Sequence, residues 1–189
     1  MASKSKDGFL ELTAIVRQAF SFLEITYGFK LRKKEASGRM RIWYFSNKKC
    51  YIKIYEDWLD AYIDVTLYNY SGRKAPIYGS AELSGKFASL DEIVSIRNPG
   101  AEILNPYIIY FGEKPNLKHI VFEQRFPGDS YLDLYSRHAK YLESFASDVL
   151  NGDFDIVSEA YKLRMERIEA YEKMHPKQYP DQKYPSLLT

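Results

Sequence analysis

Between positions 12 and 27 the apolar side chains recur every three or four residues: Leu12, Ile15, Val16, Ala19, Phe20, Leu23 and Tyr27. That spacing lines one face of an α-helix, with Asp7 placed to cap its start and Gly28 placed to end it in a left-handed conformation. The pattern then changes period. Segments FKLRKKE, RMRIWYF, KCYIKIYE and AYIDVTLYNY are rich in β-branched and aromatic residues, and Ser37-Gly38 and Asn47-Lys48 are short enough to be hairpin connections. In the fourth segment Ile63, Val65 and Leu67 alternate with Tyr62, Asp64, Thr66 and Tyr68, which predicts one buried face and one wetter, tyrosine-bearing face. Residues 77–83 could add a short strand. Ser89-Leu90-Asp91-Glu92 has the form of a capping box opening a helix that Asn98-Pro99-Gly100 must end. Runs 107–111 and 119–122 fit two further strands or buried irregular segments.

Helical spacing returns near the C-terminus. Tyr131, Leu134, Tyr135, His138, Tyr141, Leu142, Phe145 and Val149 define one helix closed by Asn151-Gly152, and Ile156 to about Met174 defines another. Consecutive strands joined by tight turns make an antiparallel meander. The expected fold is therefore α+β: an N-terminal helix, an antiparallel sheet of four to six strands and a C-terminal helical cap. Residues 1–174 form one domain in this reading, and the proline-containing stretch 175–189 an extended tail.

Composition narrows the class. At 189 residues with 46% hydrophobic and 16% aromatic content, the chain can bury a proper core, and 17 Tyr with 11 Phe argue against wholesale disorder. No apolar run approaches the ~20 residues a membrane span needs, the first residues lack the pattern of a secretory signal, and the single cysteine, Cys50, cannot form an internal disulfide. A cytoplasmic protein without a membrane partner is expected.

The reactive side chains are few and scattered. Cys50 beside Lys48 and Lys49 could be a thiolate nucleophile if a histidine joined it, but no local nucleophile signature surrounds it, and a small buried residue is the expected reading. His119, His138 and His175 lack zinc spacing, and His138 sits on an apolar stripe, where packing is the commoner role. Asp57, Asp60 and Asp64 lack a calcium loop, and the glycines at 79 and 85 lack phosphate-loop spacing. A metal-dependent hydrolase or nuclease would require Asp64 to meet Glu123, and a hydrolase pocket would draw in His138. No catalytic, metal or cofactor residue is assigned.

Charge placement carries more information. The net charge is only +2, yet Lys33, Lys34, Arg39, Arg41, Lys48 and Lys49 concentrate on the first strands while acidic residues follow, so the chain reads as dipolar. With Tyr44 and Tyr51 interleaved, the basic strands could bind nucleic acid; opposed patches suit a charged protein partner at least as well, and the shared parity of Arg39 with Arg41 and of Lys33 with Glu35 is also what an ordinary solvated strand face shows. Tyr44, Tyr51, Tyr62, Tyr68 and Tyr70, with Asp64, are the candidate partner-binding residues, because tyrosine offers large contact area with few rotors to freeze.

The segment Tyr131–Asp155, with a helix ending in ASDVLNGDF and a second helix after it, resembles the C-terminal part of small bacterial immunity proteins of polymorphic-toxin and contact-dependent systems. In that family a helix, a curved antiparallel sheet and closing helices form one domain. The resemblance implies a non-enzymatic protein that neutralises a cognate toxin by occlusion. It transfers no site residues.

Overall fold

The computed structural model describes residues 3–57, 62–69, 86–101 and 130–174. The elements run α1 (Ser3–Ala19), α2 (Ser21–Ile25), β1 (Lys30–Ser37), β2 (Met40–Ser46), β3 (Tyr51–Asp57), β4 (Tyr62–Tyr68), β5 (Phe87–Ser89), α3 (Leu90–Arg97), α4 (Tyr131–Phe145), α5 (Ser147–Leu150) and α6 (Ile156–Met174). This is the expected α+β architecture, with two local corrections. The N-terminal helix begins at Ser3, so Asp7 lies inside it and does not cap it; it also breaks at Phe20, whose φ of −99° and ψ of 23° leave the helical region. The helix expected to run through to Leu150 breaks at Ala146 (φ −130°, ψ 22°) into α4 and α5. The segments 77–83, 107–111, 119–122 and 175–189 lie outside the described residues.

The strands form one antiparallel meander in the order β1-β2-β3-β4-β5. Gly38, at φ +55°, turns the two-residue connection that pairs Ser37 with Met40. The next connection is longer than the sequence suggests. The Asn47 side-chain oxygen accepts the amides of Lys49 (2.7 Å) and Cys50 (3.0 Å), closing a four-residue loop that pairs Ser46 with Tyr51. Alternation then sends Trp43, Phe45, Ile52, Ile54, Ile63, Val65, Leu67 and Ala88 to the face that the helices cover.

One contiguous core joins that face to Leu12, Val16, Phe20 and Leu23 of the N-terminal helices, Leu90 and Ile93 of α3, Tyr135 and Leu142 of α4, and Ile156, Val157 and Ala160 of α6. Trp43 is its centre: fully buried, it stacks edge-on against Tyr135 at 5.9 Å, touches Phe9 at 5.6 Å and donates its indole N–H to Thr13 Oγ1 at 3.0 Å. The Ser89 box forms as expected, the Ser89 amide donating to Glu92 Oε2 at 2.9 Å, and α3 ends at Asn98. Ser130 and Asp133 cap α4 in the same reciprocal way.

Gly152 ends α5 at φ +93°, and a Cβ there would lie 3.0 Å from the Lys49 side chain. Gly152→Ala should therefore lose about 1–2 kcal/mol, combining left-handed backbone strain with a shift of Lys49. In a Lys49→Ala background the loss should shrink but not vanish, because the strain remains. Paired chemical-denaturation curves measure both.

Candidate functional site

The candidate tyrosines lie on the sheet face opposite the helices, where Tyr44, Tyr51, Lys53, Tyr55, Tyr62, Asp64, Thr66, Tyr68 and Phe87 alternate with the core residues. Sharing a face does not make them accessible. Tyr51 and Tyr68 are 2% and 1% exposed and pack with Phe87 in a second small apolar cluster, so these two cannot serve as exposed anchors. Tyr44 is nearly closed off at 8%, and burial raises its hydroxyl pKa. Tyr62 is half-buried and meets Tyr55 edge-on at 6.2 Å; Tyr70 lies outside the described residues. Asp64 accepts a hydrogen bond from Thr66 Oγ1 at 2.5 Å. Burial raises the Asp64 carboxyl pKa against the opposing effects of Thr66 and Lys53, and burial lowers the Lys53 amine pKa against the pull of Asp64. Each charge thus offsets part of the other's desolvation from the neighbouring strand.

The basic residues do not form one free patch. Arg39 pairs with the buried Asp57 at 2.7 Å, Arg41 with the fully buried Glu56 at 3.0 Å, and Lys33 with Glu35. Lys33 also lies over the Tyr44 ring (5.9 Å to its centre) and Lys34 over Phe9 (5.8 Å), so neighbouring lysines point to opposite faces of β1. Lys48 and Lys49 stand exposed in the β2–β3 loop. Sequence parity could not show which cations would find carboxylates across the ladder.

Cys50 is fully buried just before β3, and desolvation pushes its thiol up to about 12, which leaves it protonated and inert as a nucleophile at neutral pH. His138 is 2% exposed, with Nδ1 3.0 Å from the Leu134 carbonyl oxygen. It packs on the helix-covered side of the sheet, whereas Asp64 points to the other side, so these two do not converge; Glu123, His119, His175 and Asp60 lie outside the described residues. Among the described residues no group of three or more His, Cys, Asp or Glu side chains is gathered to hold a metal ion, and no described helix is long and apolar enough to cross a membrane.

Among the described residues a concave surface lies at the hairpin end of the sheet, a place the sequence did not single out. A cleft of about 610 Å³ opens between α1 (Gly8, Phe9, Glu11, Leu12, Ile15), the end of β1 (Ala36, Ser37, Gly38), Arg41 and Tyr131. A second, of about 580 Å³, borders Lys34, Glu35, Ala36, Ser37, Met40 and Ile42. Tyr131 (44% exposed) and Met40 (39%) stand in their walls. At the base of the first cleft, burial opposes the Arg41 charge, but Glu56 and the Tyr131 hydroxyl outweigh it and raise its pKa. The guanidinium is held as part of the wall. Behind it, burial and then the Glu56 carboxylate raise the Tyr135 hydroxyl pKa far above its ordinary value.

The chain matches no family model, no curated protein and no solved structure.

Proposed function

We propose that this chain is a non-enzymatic binding protein of the immunity type, which neutralises a cognate toxin domain by covering it. The observation that carries the reading is the hairpin end of the sheet. There, two clefts adjoin exposed Tyr131 and Met40, while the neighbouring charges Arg39 and Arg41 are already committed to Asp57 and Glu56. Such a surface offers contact area and shape, with an amphipathic aromatic beside an apolar side chain, which is what protein interfaces use. The same economy runs through the rest of the described structure. Arg164 is spent on Glu92 and Arg97 on Asp148, so these ion pairs tie α6 and α5 to α3. The tyrosine-bearing β4 face contributes less than the sequence suggested, because its largest rings are closed off.

The reading predicts protection in cells. Co-expression of this chain with a candidate toxin domain from a neighbouring gene should restore growth that the toxin alone abolishes, and Tyr131→Glu should weaken that protection in a chain that a parallel thermal melt shows to be still folded. Growth inhibition that persists at full expression of the folded wild-type chain would remove the reading.

A further inference from the structure

The two ends of the sheet are treated differently. At β5, α6 runs past the edge: Arg164 stacks over the Phe87 ring at 4.0 Å, reaches the Phe87 carbonyl oxygen at 3.5 Å and is clamped by Glu92 at 2.6 Å and 2.5 Å. At the other end β1 has no strand beside it among the described residues, and six of its eight residues are exposed. An edge strand with unpaired main-chain groups is a template for another strand unless it is covered or distorted. β1 is distorted only near its start, where Arg32 is extra between the Leu31 and Lys33 pairings and its Nε donates to Ser46 Oγ at 3.0 Å. From Lys33 to Ser37 the ladder is regular.

The two clefts sit beside this regular part. One lies between α1 and Ala36–Gly38, the other borders Lys34–Ser37 with Met40 and Ile42, and Ala36 and Ser37 line both. A strand laid against β1 would therefore send alternate side chains toward two hollows, the arrangement in which main-chain bonds supply affinity and pockets supply selection. Lys33 is paired with Glu35, so Lys30, Arg32 and Lys34 carry the net positive charge of the edge and set the chemistry of the occupant. Two copies of this chain pairing edge to edge would bring two net-positive edges together. An acidic strand would not.

We propose that the β1 edge binds an extended segment of a partner protein in which apolar and acidic residues alternate, added as a sixth strand along Lys33–Ser37. The proposal rests on the binding reading above and adds where and how the partner docks. The two-residue turn makes Ser37–Met40 the closing hydrogen-bonded pair, so by alternation Lys34 and Ala36 turn their amides to the open edge. Ala36→Pro removes one outward donor without touching the β1–β2 ladder, a place where edge strands tolerate proline.

The test uses a fluorescein-labelled nine-residue peptide alternating valine with glutamate, titrated with the full chain at low salt and followed by anisotropy. The expected result is saturable binding, weakened roughly tenfold by Ala36→Pro (about one lost main-chain hydrogen bond) and weakened also by Lys34→Glu, with the valine–lysine counterpart unbound. Lys34→Glu leaves the backbone intact and so reports on the edge even if the proline variant is unstable. Absence of saturable binding, equal binding of the lysine peptide, indifference to Lys34→Glu and to a folded Ala36→Pro, or a dimer of this chain paired through β1 each overturns the proposal. If toxin protection holds while Ala36→Pro protects as well as wild type, the binding reading stands and the edge is not its site.

Discussion

Arg41→Met should cost about 3 kcal/mol of folding stability, and Arg41→Met combined with Glu56→Leu should recover most of that loss. Glu56 points from β3 into the helix-covered side of the sheet and is wholly buried, with Arg41 Nη1 3.0 Å from its Oε2. Removing the guanidinium takes a cationic partner from this carboxylate in a region that also holds Trp43 and Tyr135, and truncating one member of a buried pair costs far more than replacing both with apolar groups. Arg41 keeps about a quarter of its side chain exposed, which places the loss at the lower end of the usual range. A double-mutant cycle by denaturant unfolding measures the coupling. A loss under about 1 kcal/mol for Arg41→Met would mean that the cleft arginine is not committed to the fold and stands ready for a ligand instead.

The second large effect is one of pH. Burial holds the His138 imidazole at about 4, against an ordinary value of 6.5. Its Nδ1 faces the Leu134 carbonyl oxygen, a geometry that suits a protonated Nδ1 in a neutral ring, and the Ile63 backbone also faces the imidazole. The unfolded chain takes up a proton as pH falls through 6.5, whereas the folded chain resists until about 4. The neutral ring's full stability is thus present above pH 6.5 and is lost progressively from 6.5 down to 4, by about 3 kcal/mol. Asp64 acts in the opposite sense, since its raised pKa favours the folded state as acid is added; Asp148, lowered first by its hydrogen bond to Arg97, adds to the acid loss. The contribution of His138 is therefore the difference between wild type and His138→Leu. Between pH 7 and 4 the wild type should lose about 3 kcal/mol more than the variant. Parallel stability profiles would show that the ring is charged, or reaches water, in the folded state.

Both effects arise at places only partly legible in the sequence. Period-two alternation in Ile63, Val65 and Leu67 located a strand and its core face, and the Ser89–Glu92 box located a helix start, because each signal is local. β5 carries no such signal: three residues show no period, and Phe87–Ser89 pairs only because β4 offers an edge. The Arg41–Glu56 pair depended on one turn. A two-residue connection at Asn47-Lys48 would have set Arg41 opposite Ile54; the four-residue loop built on the Asn47 side chain moves its partner to Glu56. The tyrosine face shows the same limit. Alternation established that Tyr62, Asp64 and Tyr68 share a side of the sheet, but whether a side is covered depends on distant parts of the chain, and Tyr51 and Tyr68 are buried there. The clefts at the hairpin end assemble α1, β1, β2 and Tyr131 of α4, separated by up to more than a hundred residues, and no local pattern announces them.

If the proposed function holds, recognition falls to the exterior while the inward-facing charges hold the fold. Light scattering on the sizing-column eluate of this chain mixed with a candidate toxin domain from a neighbouring gene tests that division most directly. One peak at the summed mass of a one-to-one complex, abolished by Tyr131→Glu but retained by Lys53→Met on the opposite face of the sheet, is the predicted result. Two separate peaks at the individual masses, or a complex lost with Lys53→Met and indifferent to Tyr131→Glu, would contradict it.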